Sequence, residues 1–157
     1  MKKDAFIDNS KKYRYMLMRQ WNKDETNFVN FIMLNPSTAD DKTDDPTIKS
    51  CIKLAQNWKF DGLYVTNLFA LRSTDPKKLK TTKNPIGKEN NKFIKKYASL
   101  CKLVVIAWGN KGTLFNRDKE VIKLLNKIPE IHCIKKTKTG HPIHPLYTNR
   151  KTIPIKF

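Results

Sequence analysis

Short apolar segments recur along this chain, and most are separated by stretches with the spacing of amphipathic helices, which restricts the fold more than any other feature. The predicted strands are Tyr13–Met18, Phe28–Leu34, Leu63–Asn67, Lys102–Trp108 and Glu130–Ile134. One predicted helix begins at Asp45-Pro46, and two more cover Lys88–Ser99 and Gly112–Lys127. This alternation predicts an α/β fold, a three-layer sandwich whose central, mainly parallel sheet has about four to five strands, in one domain over residues 1–157.

The composition fits a packed domain inside the cell. With 157 residues, 39% of them hydrophobic, the chain can bury a core. The longest purely apolar stretch, Leu103–Trp108, is too short to cross a bilayer, and no hydrophobic run follows Met1–Asp4. Cys51, Cys101 and Cys133 are odd in number and widely spaced, which indicates reduced thiols. We therefore expect a cytoplasmic protein with no membrane partner.

The net charge of +18 comes from 32 basic and 14 acidic residues. Such a field attracts polyanions, of which nucleic acid is the commonest, so we expect a DNA partner. Only five of the basic residues are arginine, and a lysine excess of this kind also arises from an AT-rich genome without selection for binding. Four acidic residues are concentrated in Asp40–Asp45, which leaves the remaining surface more basic than the total indicates.

Polar segments follow each of the predicted parallel strands. They are Asn35–Thr38, Asn67, Gly109–Gly112 and Gly140–Tyr147. Ligands bind outside the carboxyl ends of the strands in sheets of this type. The four segments therefore predict one shared cleft.

Several of these side chains have both a chemical and a structural interpretation. The hydroxyls of Ser37 and Thr38, after the turn at Asn35, are suited to a phosphate or sugar, although the same residues form ordinary turns. The amide of Asn67 has the donor and acceptor needed to read a base edge, but it could instead satisfy loop backbone. Arg72 is either a phosphate contact or a solvated surface charge.

The loops after the last two strands add a cation and two histidines. Lys111 lies between two glycines before a predicted helix, in a loop that could bind phosphate but lacks a complete P-loop pattern. His141 and His144 lie in a proline-stiffened loop that can hold an imidazole against developing negative charge. Zinc is disfavoured because His132 and Cys133, as strand neighbours, point to opposite faces. We expect neither a metal nor a cofactor.

Four motifs in combination resemble a family of small bacterial and phage proteins that is known only as a domain of unknown function. They are Leu34–Asp40, Asp44–Ile48, Asn67–Pro76 and His144–Tyr147. The resemblance extends from Tyr13 to Tyr147, nearly the whole chain, but names no reaction.

The order of the motifs also resembles, more distantly, the uracil-DNA glycosylase superfamily, whose members have a four-stranded parallel sheet flanked by helices. Asn35-Pro36 is similar to the Asp/Asn-Pro turn whose acid or amide positions the attacking water. Asn67 is similar to the base-reading Asn that ends the next strand, and Trp108-Gly109 to a later Trp-Gly. His144–Leu146 resembles the final His-Pro-Ser-Pro-Leu loop, whose His stabilises the departing base and whose Leu wedges into the stack.

Departures from that pattern shape the expected chemistry. His144–Leu146 lacks the Ser-Pro insert, so His141 is a second candidate, and Leu34 interrupts the usual glycine pattern. We find no counterpart of the aromatic residue that stacks on the flipped base, and expect Phe69 or Trp108 to flank it. Asn at the water position implies slow hydrolysis or an easily leaving base.

The resemblance thus implies a glycosylase-type hydrolase that removes a damaged or modified base from DNA, and we expect the protein to be a monomer. The implied catalytic residues are Asn35 and His144, the base-binding residues are Asn67, Phe69 and Trp108, and the phosphate-binding residues are Ser37, Thr38, Arg72, Lys111 and His141. Two alternatives stay open. One is a non-catalytic module that binds nucleic acid or nucleotides, and the other is an enzyme acting on free modified nucleotides.

The net charge generates a first prediction. DNA affinity should fall steeply with salt, with a log–log slope of roughly −0.7 to −0.9 for each phosphate contact, because each contact releases condensed counterions. Fluorescence anisotropy of labelled DNA across a salt series measures the slope. Absence of binding even at low ionic strength would mean that the lysine excess is compositional.

Overall fold

A seven-stranded sheet runs through the computed structural model, which describes residues 1–23, 26–146 and 148–157. Tyr147, in the last of the four motifs, lies outside the described residues. The strands are β1 (Lys2–Ile7), β2 (Arg14–Gln20), β3 (Phe28–Met33), β4 (Gly62–Asn67), β5 (Leu103–Ile106), β6 (Ile131–Cys133) and β7 (Ile155–Lys156). The order across the sheet is β1-β2-β4-β3-β5-β6-β7.

The centre of the sheet confirms the α/β prediction. Neighbours β4, β3, β5 and β6 are all parallel, and β3 is buried along its whole length. The predicted strand count was too low, because β1, β2 and β7 pair antiparallel at the two edges and only β2 was expected among them. β1 has alternating exposure and β7 has two exposed residues, so neither carries the apolar run by which a buried strand is recognised.

Helices cover both faces of the sheet. They are α1 (Pro46–Asn57), α2 (Lys78–Thr81), α3 (Asn90–Leu100) and α4 (Arg117–Leu124). The side chain of Asp45 accepts a hydrogen bond from the Ile48 amide at 2.9 Å, so α1 begins as predicted. Helix α1 packs on one face, while α3 and α4 pack on the other. No helix in the described parts of the chain is both long and apolar enough to span a membrane.

The prediction of one helix over Gly112–Lys127 was wrong. A 3-10 helix covers Asn110–Asn116, and α4 starts only afterwards. Phe115 and Asn116 have φ values of 56° and 54°, in the left-handed region. These two residues therefore separate the 3-10 helix from α4, which begins at Arg117. The guanidinium of Arg117 is fully buried and donates to the Leu68 carbonyl at 2.8 Å, which ties the start of α4 to the sheet.

The buried guanidinium of Arg19 organises the acidic segment between β3 and α1. Arg19 donates to the Asp44 carboxylate at 2.6 Å, to the Thr43 carbonyl at 3.0 Å and to the Asp40 carbonyl. It also reaches the Met18 carbonyl at 2.7 Å. Arg19 therefore fixes the backbone of this acidic segment at Asp40 and Thr43 and neutralises the carboxylate of Asp44.

Replacing Arg19 with Met should lower the free energy of unfolding by about 2–5 kcal/mol, because the carbonyls that it satisfies lose a donor and Asp44 loses its buried partner. Lys3 pairs with the same carboxylate at 2.9 Å but is partly exposed, so Lys3→Met should cost less than about 1 kcal/mol. Urea denaturation measures both variants. Equal losses in the two would show that Arg19 does not organise the segment.

Candidate functional site

A cleft of about 440 Å³ opens at the carboxyl ends of β3 and β5, where the strand-end rule predicts a site. The start of α1 forms one wall of the cleft. The residues that line it are Arg14, Met33, Leu34, Asn35, Ser37, Asp45, Thr47, Ile48, Ser73, Thr74, Pro76, Trp108, Gly109, Asn110, Lys111 and His144.

The amide of Asn35 has a defined orientation. Its nitrogen Nδ2 donates to the Ser73 carbonyl at 2.9 Å and to the Pro36 carbonyl at 3.1 Å. Because carbonyls only accept hydrogen bonds, these contacts assign the nitrogen and leave Oδ1 as the free acceptor. Within the described residues Oδ1 has no hydrogen-bond donor, so Asn35 presents an acceptor at the cleft.

His144 is held in the cleft by backbone contacts. The Gly109 amide donates to the Pro142 carbonyl at 2.8 Å, which joins the segment after β6 to the end of β5. The Leu146 amide donates to Nδ1 of His144 at 3.2 Å. In the neutral ring the proton is then on Nε2, so the imidazole offers a donor.

The surroundings of His144 favour that neutral form. More than a third of the residue's surface is exposed, yet desolvation by the cleft walls lowers the pKa of the ring below 6.5. The carboxylate of Asp45, across the cleft, opposes part of this shift. At neutral pH the cleft therefore holds an uncharged imidazole.

Arg14 is the residue in this cleft that the sequence interpretation missed. Arg14 is 2% exposed, and within the described residues its side chain makes one hydrogen bond, from Nη1 to the Ala39 carbonyl at 2.9 Å. Burial lowers the pKa of Arg14 to about 10, against a raising effect of Asp45, so the guanidinium is still charged at neutral pH. An arginine inside a buried strand of a lysine-rich chain was the one available signal in the sequence.

Of the predicted site residues, five line the cleft. They are Asn35, Ser37, Trp108, Lys111 and His144. Trp108 borders the cleft although only 3% of its surface is exposed, and Lys111 is exposed. Two separate strand ends and the segment after β6 thus contribute to one site.

The other five predicted residues do not line the cleft. Asn67 and Phe69, which we expected to contact the nucleobase, are buried in the interior, with exposures of 1% and 0%. Thr38 is exposed, Arg72 donates to the Lys11 carbonyl at 3.3 Å, and His141 is half-buried.

Asn67 nevertheless has an unusual environment. Neither its Nδ2 nor its Oδ1 has a hydrogen-bond partner among the described residues, although both atoms are buried. Its partner across the β3–β4 pair is Met33, which lines the cleft. Asn67 is therefore the strand neighbour of a cleft residue, and both polar atoms of its amide lack a hydrogen bond within the described residues.

No group of three or more His, Cys, Asp or Glu side chains suited to a metal ion occurs in the described ranges. Cys51 and Cys133 are buried thiols and Cys101 is partly buried.

A family model described as "Protein of unknown function (DUF1643)" matches residues 14–146. Comparisons with curated proteins and with solved structures gave no match.

The environment of His144 generates a prediction about its titration. The pKa of His144 should lie below 6.5, so its protonation is complete only at a lower pH than that of a free imidazole. Asp45→Asn keeps a helix-capping side chain but removes the raising charge, so it should lower that pKa further. NMR titration of the imidazole Cε1 proton measures both values. A midpoint at or above 6.5, or an upward shift in the variant, would contradict the assigned environment.

Proposed function

We propose that this chain, which belongs to the DUF1643 family, is a glycosylase-type hydrolase that cleaves the N-glycosidic bond of a damaged or modified nucleotide in DNA. The observation that carries the proposal is that Asn35 and His144 line one cleft with opposite hydrogen-bonding character. Asn35 offers an acceptor and neutral His144 offers a donor. Hydrolysis of this bond is helped by an acceptor that orients the attacking water on the sugar side and by a donor that stabilises the leaving base on the other side.

The two groups have separate roles in the proposed reaction. Oδ1 of Asn35 accepts a hydrogen bond from a water and orients its oxygen toward C1′ of the sugar. The bond from C1′ to the base nitrogen breaks, and its electron pair leaves with the base. Nε2–H of His144 donates to the base as this negative charge develops. An amide cannot take up the proton, so the water's proton passes to solvent or to the departing base, which favours easily leaving bases.

The rest of the cleft supports a nucleotide as the ligand. Trp108 provides a planar apolar surface, and Ser37 and Lys111 provide donors for the sugar-phosphate. A chain with net charge +18 holds the DNA backbone by electrostatics, and the target nucleotide enters the cleft by flipping out of the stack. Asn67 is one residue from this position, and a shift of β4's end toward the ligand would let its free amide meet the base.

A free modified nucleotide is the second candidate substrate. The observation that favours it is the buried charge of Arg14 in the cleft. Only the terminal group of a ligand can reach so buried a side chain, and a free nucleotide has a terminal phosphate.

The activity is tested by incubating the protein with oligonucleotides that carry uracil, hydroxymethylated or deaminated bases and measuring abasic sites. His144→Ala should slow base release by about a hundredfold or more, the cost of one preorganised donor. Asn35→Ala should abolish detectable release, because the water loses its acceptor. Thermal unfolding of Asn35→Ala must be measured in parallel, since its amide also joins Pro36 to Ser73.

His132→Ala is the matched control, because this histidine lies on β6 outside the cleft lining. It should release the base at the wild-type rate. No abasic product on any substrate, together with DNA binding that survives loss of His144, would overturn the enzyme in favour of a binding module.

A further inference from the structure

Three arginines are almost completely buried, and one of them is short of hydrogen-bond partners. Arg19 and Arg117 use all three guanidinium nitrogens as donors. Arg14 donates only from Nη1, to the Ala39 carbonyl. Its Nε is buried without a partner, and its Nη2 makes no hydrogen bond within the described residues. Of the three, only Arg14 lines the cleft.

The charge of Arg14 is also unbalanced. Both other buried arginines have a carboxylate within 4.0 Å, whereas among the described residues Arg14 has none. Asp45 lines the same cleft, but its carboxylate is engaged with the Ile48 amide at the start of α1. Lys111 adds a second positive charge to the lining. With His144 neutral, the cleft carries more positive than negative charge.

We propose that Arg14 is the receptor for a phosphate monoester, so that the nucleotide entering this cleft is either free or at the end of a strand. The proposal rests on the proposed function for the identity of the ligand as a nucleotide. It adds a site for the phosphate and narrows the substrate to nucleotides that carry a terminal one.

Several features of the cleft favour a phosphate over other anions. Paired N–H groups of a guanidinium match two oxygens of an oxyanion. The hydroxyls of Ser37 and Thr47 and the amine of Lys111 line the same cleft, which provides donors from several directions. A carboxylate has two oxygens in one plane, whereas a phosphate monoester has three around a tetrahedron.

The depth of Arg14 distinguishes a monoester from a diester. With 2% of its surface exposed, the guanidinium is accessible only to a group that enters the cleft first. An internal phosphodiester has chain on both sides and stays at the rim. A monoester has one connection and can reach the floor.

The experiment compares nucleoside 5′-monophosphates with their nucleosides by isothermal titration calorimetry, on wild type, Arg14→Met and Arg14→Lys. Wild type should bind the monophosphates at least about tenfold more tightly, as expected for a hydrogen-bonded charge. Arg14→Met should lose most of this difference, since only Lys111 and the hydroxyls remain for the phosphate, and Arg14→Lys should keep a larger part of it. Arg150→Met removes an exposed arginine outside this cleft and should behave as wild type.

Thermal unfolding without ligand gives a second readout. A receptor arginine has few internal partners, so Arg14→Met should unfold at or above the wild-type temperature. Arg117→Met, which removes a saturated arginine, should unfold well below it. A loss in Arg14→Met as large as in Arg117→Met would mean that Arg14 is structural and would overturn the proposal, as would equal wild-type affinity for nucleosides and monophosphates.

Oligonucleotides with a 5′-phosphate or a 5′-hydroxyl identify the source of the monoester. Phosphate-dependent binding of the oligonucleotide supports a strand end, and phosphate-dependent binding of mononucleotides alone supports a free nucleotide. Phosphate-dependent binding without base release would keep the Arg14 site and discard the hydrolase. Base release that is independent of a terminal phosphate would keep the hydrolase and discard the Arg14 site.

Discussion

The hydrogen bonds of Arg19 to the segment between β3 and α1 are the interaction on which the cleft depends. This segment leaves the sheet at Asn35 and ends at Asp45, the N-cap of α1, so its position sets where α1 begins. Asp45 in turn caps α1 and faces His144 and Arg14 across the cleft. Arg19 therefore holds one wall of the site together with Arg14, which also lies on β2 and donates to the Ala39 carbonyl of the same segment. That wall carries Asp45, whose charge acts on His144 and Arg14.

The hydrophobic pattern predicted the central sheet because a strand covered by helices on both faces must be apolar along its length. Phe28–Met33 meets this requirement, and its parallel neighbours follow from the alternation with helices. Edge strands need only one covered face, so Lys2–Ile7 carries no comparable signal. The left-handed pair Phe115 and Asn116 is also hard to recognise, because Asn tolerates that conformation but Phe gives no sign of it.

The sequence predicted only those residues of the site that follow the carboxyl ends of parallel strands. Asn35, Trp108 and Lys111 follow parallel strands and share the cleft for that reason. Asn67 also ends a parallel strand, but its side chain is enclosed by the core, which a strand-end rule does not describe. Arg14 was missed because whether a buried arginine is saturated depends on carbonyls that the fold brings together, as the contrast with Arg19 shows.

The histidine of the site belongs to a separate part of the chain from the sheet's parallel core. The segment after β6 is joined to that core through the Gly109–Pro142 hydrogen bond, through the Trp58 indole on the Thr152 carbonyl and through β7. These contacts use main-chain atoms of the segment, so a change of side chain there does not by itself remove them. A substitution at position 144 therefore leaves these anchoring contacts in place, so the chemistry of the cleft can be changed through this segment without rebuilding the sheet.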